Sequence, residues 1–256
     1  MSKAPIQIKD KVLGGGIPLI TMPFVGKTLE GLKEECRTAL EHRPDLVEWR
    51  ADYFEGIGDP EMALEGLAIL NDSLGGIPIL FTLRSASEGG AQVLEDPQRL
   101  AVIEAVVRTG QVSLVDIEAA SPQSLIEPVR DLTRRHGVAL ILSNHDFKAT
   151  PEPEDMLNRL LKAQALGADI VKLAVMPQSR EDVLNLMLAS VSYNDLPDST
   201  HAVTISMSGD GLITRLAAAF SHSVITFCAG KGVSAPGQVP AEEMRGPMGL
   251  LAQHLK

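Results

Sequence analysis

A lysine stands in the middle of an apolar run, Asp169-Ile170-Val171-Lys172-Leu173-Ala174-Val175. The run reads as a buried parallel strand, where a lysine is almost never fully buried without a reason. Burial disfavours the ammonium ion and lowers its pKa, and a partly neutral amine can attack a carbonyl to form a Schiff base. The structural alternative is an inward lysine paired with a carboxylate. A second reactive group lies in Ser143-Asn144-His145-Asp146-Phe147. Histidine is the side chain that titrates near neutrality unperturbed, so His145 is the natural general base to remove a proton acidified by an iminium. His42, His136 and His254 fall in helix or helix-end contexts and read as surface residues. Arg50, Arg84 and Arg215 are suited to a bidentate grip on a carboxylate or phosphate.

Two loops add to this set. Ser208-Gly209-Asp210-Gly211, ahead of a helix, reads equally as a backbone anion site or a plain glycine loop. In Ser234-Ala235-Pro236-Gly237-Gln238 the serine and glutamine can reach hydroxyls or a carboxylate. The competing use of these residue types is a metal site, from Asn144-His145-Asp146 with Glu48 and Glu118. Lysine and arginines in the same volume would repel the cation, so no metal is expected.

The elements that must position these groups are legible as an alternation. Short β-branched runs over residues 18–24, 45–51, 77–84, 112–118, 138–145, 169–175, 201–207 and 223–229 read as strands, separated by stretches of helical spacing such as Leu29, Leu32, Cys36 and Ala39. Helix starts are marked by Asp59-Pro60, Asp96-Pro97 and Ser121-Pro122, and by a capping-box pattern from Ser179 to Asp182. Eight β-then-α units in one chain of 256 residues predict an α/β fold, a single-domain (β/α)8 barrel over 1–256. An open doubly wound sheet would show a glycine-rich turn after its first strand, whereas Gly14-Gly15-Gly16 precedes it. Residues 5–13 predict a small hairpin closing the barrel floor.

Strand alternation then gives a register. Val47 and Trp49 oppose Leu46, Glu48 and Arg50; Ile79, Phe81 and Leu83 oppose Leu80, Thr82 and Arg84; Val115 and Ile117 oppose Asp116 and Glu118. Leu140 and Leu142 oppose Ile141, Ser143 and His145, and Val171, Leu173 and Val175 oppose Ile170, Lys172 and Ala174. The helix-facing row must be apolar, so the polar rows point into the lumen, towards the C-terminal strand ends where barrel sites are built. The last two strands give no clear register.

Composition bounds the partners. The net charge of -10 argues against non-specific nucleic-acid binding. Met1 to Asp10 lacks the apolar core of a signal peptide, and no run approaches a membrane span. Cys36 and Cys228 are far apart with no paired spacing, as expected for free thiols in a reducing compartment. A cytoplasmic enzyme is expected.

Taken together, five motifs in order resemble type I 3-dehydroquinate dehydratase: Glu48-Trp49-Arg50; Phe81-Thr82-Leu83-Arg84-Ser85 with Glu88-Gly89-Gly90; Ser143-Asn144-His145-Asp146-Phe147; Lys172-Leu173-Ala174-Val175-Met176-Pro177; and Ser234-Ala235-Pro236-Gly237-Gln238. The resemblance implies dehydration of 3-dehydroquinate through an imine on Lys172, with His145 as general acid and base and Glu88 orienting it. It implies that Arg215, Ser234 and Gln238 hold the substrate carboxylate. Glu48, Arg50 and Arg84 would hold ring hydroxyls, and Met207 would pack on the ring. No cofactor is implied, and a homodimer is. The chain departs from the family pattern at Pro23 and Thr214, where relatives carry serine, which leaves substrate affinity open. A class I aldolase, which also uses a barrel lysine, and a catalytically silent metabolite-binding barrel are the rival readings.

Overall fold

The structure, a computed structural model, describes residues 3–230 and 237–255. Two short strands open the chain, β1 (Ile6–Ile8) and β2 (Lys11–Leu13), paired antiparallel about a turn in which Lys9 takes a positive φ of 51°. The barrel proper begins with β3 (Leu19–Phe24), α1 (Leu29–His42), β4 (Leu46–Arg50) and α2 (Pro60–Ser73). It continues with β5 (Ile79–Thr82), α3 (Asp96–Arg108), β6 (Leu114–Glu118) and α4 (Gln123–His136). The second half is β7 (Ala139–Asp146), α5 (Pro153–Ala165), β8 (Ile170–Val175), α6 (Arg180–Asn194), β9 (His201–Ser206), α7 (Leu212–Leu216), β10 (Ile225–Phe227) and α8 (Ala241–His254).

Strands β3 to β10 form one parallel sheet in the order β10-β3-β4-β5-β6-β7-β8-β9. A bridge from Ala202 to Ser223, with the Val224 N–H donating to Ala202 O at 2.9 Å, brings its two edges together. The molecule is therefore the expected (β/α)8 barrel. The hairpin lies at its floor, where buried Ile8 and Leu13 pack with Leu19, Leu46, Leu80, Leu114, Ile170 and Ile225. The outer core lies between sheet and helices and holds Val47, Trp49, Ile79, Phe81, Val115, Ile117, Leu140, Leu142, Val171 and Leu173. These are the rows that the register argument turned away from the lumen.

Local chemistry accounts for most boundaries. Asp59 caps α2 by accepting the Glu61 N–H at 2.9 Å, with Pro60 in the first turn. The capping box of Ser179 and Asp182 starts α6. Two expectations shift by a residue or more: Glu95, with Gln98, caps α3 in place of Asp96, and Pro122 occupies the cap position of α4. In α2, Gly66 admits the Trp49 ring; a β-carbon there would stand 2.9 Å from it. Trp49 in turn meets Phe54 and Phe81 edge-on, with centroids 5.8 and 5.4 Å away. Strands predicted over 77–84 and 223–229 are shorter than expected. Beyond Thr82 the chain leaves the sheet to build the active face, so Arg84 lies past the strand end instead of closing it. No helix of the described residues is long and apolar enough to cross a membrane.

Candidate active site

The polar rows of β4 to β8 converge on a cleft of about 500 Å³, a volume that includes the open space at its mouth. Its lining includes Glu48, Arg50, Arg84, Glu88, His145, Lys172, Met207, Arg215 and Gln238. Thus nine of the ten residues singled out from sequence are brought together, and Ser234 lies outside the described residues. Phe147, Ala174, Ile205 and Phe227 supply the apolar part of the wall.

Lys172 sits at the bottom of this cleft. Its Nζ donates to Asp116 Oδ2 at 2.8 Å, stands 3.6 Å from Glu48 Oε1 and lies over the Phe227 ring, 4.8 Å from its centroid. The carboxylate pairing expected of a structural lysine is therefore present, but it occurs inside a cleft beside a titratable imidazole. Glu48 is itself steadied by the Thr82 hydroxyl, which donates to Oε1 at 2.9 Å.

The strand alternation marks Asp116 as inward-facing but assigns it no role. Its Oδ2 also meets Arg84 Nη2 at 3.0 Å, and its Oδ1 accepts the Ser143 hydroxyl at 2.6 Å. Burial acts to raise this carboxyl, yet the Arg84 and Lys172 charges outweigh it and hold it well below the usual carboxylate range. Both terminal nitrogens of Arg84 are engaged with protein groups: besides the Nη2 contact with Asp116, Nη1 donates to Glu118 Oε1 at 3.1 Å and to the Ser143 hydroxyl at 2.6 Å. Burial opposes its charge, but Asp116 and Glu118 raise its pKa above the ordinary arginine value.

His145 is the penultimate residue of β7 and lies at the cleft wall, with its ring stacked near Phe147 at a centroid distance of 6.3 Å. Its Nδ1 lies 3.1 Å from Glu88 Oε2, which also accepts the His145 backbone N–H at 2.7 Å. Asn144 Nδ2 donates to Glu88 Oε1 at 3.3 Å. Sequence reasoning placed the His145 pKa near its reference; the site moves it well below. Burial is the main cause, and the Arg84 and Lys172 charges add to it. Burial likewise pushes Glu88 up to about 7. A neutral imidazole with its Nδ1 held by a carboxylate presents Nε2 as an acceptor, the state that a general base requires.

Arg50 lines the cleft with its guanidinium held in place by protein groups. Its Nε and Nη2 both donate to Asp52 at 2.8 Å, and Nη2 also reaches Gly89 O at 3.3 Å. Buried Asp52 then accepts the Ala91 N–H at 3.0 Å, tying Arg50 to the loop after Glu88. Arg215, from α7, has Nη1 3.5 Å from Phe227 O, and burial lowers its pKa to about 10. The Thr214 hydroxyl donates to Gly211 O at 2.7 Å and accepts the Ser206 N–H at 3.1 Å, so it fastens α7 to β9. Pro23 pairs across from Glu48 within β3.

A larger cavity opens at the barrel floor, lined by Lys3, Asn194, His201 and His222 among others. There Lys3 Nζ is spent on Asn194 Oδ1 at 2.5 Å and Thr200 O at 2.6 Å, and His201 Nε2 lies 2.8 Å from Ala4 O. The residues singled out from sequence line the cleft at the opposite end. Among the described residues, no group of three or more His, Cys, Asp or Glu side chains could hold a metal ion. Both cysteines are buried, and burial raises their thiols to about 11 at Cys36 and about 12 at Cys228, which leaves them unreactive.

A sequence model of the type I 3-dehydroquinase family matches residues 20–254. The 3-dehydroquinate dehydratase of Bacillus licheniformis is 39% identical over 253 residues, covering 99% of this chain and 100% of that protein. That of Syntrophotalea carbinolica is 40% identical, covering 97% and 98%. The type I 3-dehydroquinate dehydratase of Clostridium difficile, solved with covalent modified comenic acid, superposes with a TM-score of 0.94 at 34% identity, covering all of both chains. The 3-dehydroquinate dehydratase of Geobacillus kaustophilus gives 0.91 at 39% identity, covering 100% of this chain and 99% of that one. By fold, by cleft and by these relatives, the chain belongs to the type I 3-dehydroquinase family and is a hydro-lyase.

Proposed function

We propose that this chain dehydrates 3-dehydroquinate to 3-dehydroshikimate by a syn elimination that passes through an imine on Lys172. The observation that carries this reading is Lys172 Nζ at the floor of the cleft, bound to Asp116 and shared with His145 as a lining residue. Nζ adds to the ring ketone, and the carbinolamine loses water to give an iminium ion. His145 removes the C2 proton, and the electron pair of that C–H bond is held as an enamine. His145 then returns a proton to the C1 hydroxyl as the C1–O bond breaks. Water hydrolyses the conjugated iminium, releasing product and regenerating the amine.

The remaining roles are those that the family resemblance implies, and the position of the described residues in the cleft supports them. Glu88 holds His145 with Nε2 facing the substrate. Arg215, with Ser234 and Gln238, holds the carboxylate, since a buried guanidinium favours an anion beside it. Glu48, Arg50 and Arg84 border the ring hydroxyls, and Met207 packs on the ring. Arg84 and Arg50 act from fixed positions set by Asp116, Glu118 and Asp52, which suits recognition without reorganisation. The Clostridium difficile relative, solved with covalent modified comenic acid, supports covalent chemistry in this family.

The test is intact-mass spectrometry after borohydride reduction in the presence of 3-dehydroquinate, with Lys172→Met beside the native chain. One reduced ligand adduct on the native protein and none on the variant is the expected result. A folded native protein that gives no adduct while still turning over substrate would refute the imine. One with neither adduct nor turnover would refute the whole reading.

A further inference from the structure

Arg99 is a buried cation on a helix that the mechanism above does not use. It lies on α3, outside the barrel, and is 4% exposed. Its guanidinium reaches through to the strand ends. Nη2 donates to Glu118 Oε2 at 2.5 Å and to Leu83 O at 3.1 Å. Nη1 lies 3.4 Å from both Asp96 Oδ1 and the Ser121 hydroxyl. Nε has no hydrogen-bond partner among the described residues. A buried guanidinium with an unmatched N–H is a poor choice for stability alone, because an apolar pair of similar volume would cost less desolvation.

Glu118 divides its carboxylate between two tasks. One oxygen takes Arg99; the other accepts Arg84 Nη1 at 3.1 Å and the Ser85 N–H at 2.8 Å. Arg99 and Glu118 together thus grip three successive residues, Leu83, Arg84 and Ser85, where the chain leaves β5. Immediately beyond lies the short helical turn Ala86–Glu88 that presents Glu88 to His145. The charges alternate from the helix to the amine: Arg99, Glu118, Arg84, Asp116, Lys172 and finally Glu48. From Arg99 to Glu48 each cation thus stands between carboxylates, and Asp96 pairs with Arg99 at its outer end.

We propose that Arg99 is a positioning residue for the elimination: through Glu118 it fixes Arg84 and the turn that carries Glu88, and its charge acts along the relay that ends at Lys172. This rests on the function proposed above. The charged and titratable groups facing the relay are Asp96 on α3, Glu118 and Asp116 on β6, Glu48 on β4, Arg50 and Arg84 at the ends of β4 and β5, Glu88, His145 on β7 and Lys172 on β8. Glu118 and Asp116 raise Glu88, and Arg84 lowers it, so the net charge of the relay acts on the group that orients His145.

The experiment is the pH profile of kcat on the full chain with 3-dehydroquinate, for Arg99→Gln, Glu118→Gln and Arg99→Lys. Loss of a cation leaves the lumen one charge more negative and should move the acid limb to higher pH, by about half a unit or more. Loss of the carboxylate should move it to lower pH by a similar amount, and Arg99→Lys should restore most of the native position. A merely structural role lowers the amplitude of both variants without opposite shifts. Unmoved limbs, or limbs moving together, would overturn the inference. If Arg99→Gln fails to fold, a Glu118→Gln limb that does not move to lower pH overturns it as well. A native chain that does not turn over 3-dehydroquinate would instead overturn the function on which it rests.

Discussion

Glu88 Oε2 binds His145 twice, at the ring Nδ1 and at the backbone N–H. The backbone contact fixes the carboxylate relative to β7, and the ring contact then fixes the imidazole relative to the carboxylate. Burial raises Glu88 to about 7 and depresses His145 well below its ordinary value, so the pair shares its proton on the glutamate side. The consequence is that a single oxygen decides which imidazole nitrogen is available to substrate.

The acid limb of the pH–rate profile should therefore belong to Glu88. Below pH about 7 the protonated Glu88 donates to Nδ1 and leaves the proton-bearing Nε2 facing the cleft, which cannot act as a base. Activity is expected to rise through that pH. In Glu88→Gln the limb should move to lower pH, where His145 itself titrates, and kcat should fall by about 10-fold or more, within the range of general-base effects. A profile of kcat/KM for both proteins checks this. An unchanged limb near 7 in the variant would assign it to another group.

The same residue should cost stability as pH rises. Burial raises the folded-state pKa of Glu88 to about 7 from an ordinary value of 4.5, so its carboxylate is disfavoured in the folded state. The folded protein then binds the proton more tightly than the unfolded chain, and the contribution of Glu88 to stability is lost as pH rises from about 4.5 through about 7. Glu88→Gln cannot ionise, so its stability relative to the native chain should improve with pH across that window and level off above it. Denaturant unfolding at pH 5, 6, 7 and 8 reads the difference directly. A variant that loses ground with rising pH would reverse the sign assigned to this carboxyl. His145 opposes the trend: its depressed pKa means that stability is lost as pH falls below about 6.5.

The register of β4 to β8 was legible because their helix-facing rows are apolar and their lumen rows are not. In β9 and β10 the polarity is inverted. Val203, Ile205, Met207, Ile225 and Phe227 line the lumen, while Thr204 and Thr226 face helices. Those hydroxyls are satisfied locally: Thr204 Oγ1 donates to the Ser190 hydroxyl at 2.8 Å and Thr226 Oγ1 donates to Arg215 O at 3.1 Å. A pattern that equates polar with inward has nothing to read there. Asp116 and Glu118 lay in a polar row already assigned to the lumen, and the missing step was to ask which cations could reach them. Asp52 and Arg99 carried no such signal, since one follows a strand and the other is a helix arginine of ordinary appearance. His145 was placed correctly but mistaken for an ordinary histidine, because burial and the neighbouring arginine and lysine depend on contacts between distant segments.

Asp52 provides the sharpest separation of binding from chemistry. It is buried, grips Arg50 with both oxygens at 2.8 Å, and fixes the loop after Glu88 through the Ala91 N–H at 3.0 Å. Gln92 Nε2 completes the clasp by donating to Asp52 O and Phe54 O. Asn at this position keeps the shape but loses the charge, and its Nδ2 would face an arginine N–H. The Arg50 fork would then be free to leave the cleft wall, and the substrate contact assigned to it would weaken in the ground state and the transition state alike. Asp52→Asn is therefore expected to raise KM by about 10-fold, ~1.4 kcal/mol of binding, and to change kcat by less than about 3-fold, the pattern of lost uniform binding. Arg50→Lys should reproduce it, since a lysine cannot match the bidentate fork. Steady-state kinetics on both variants tests the assignment. A collapse of kcat at unchanged KM would mean that Asp52 acts instead through the neighbouring turn and Glu88.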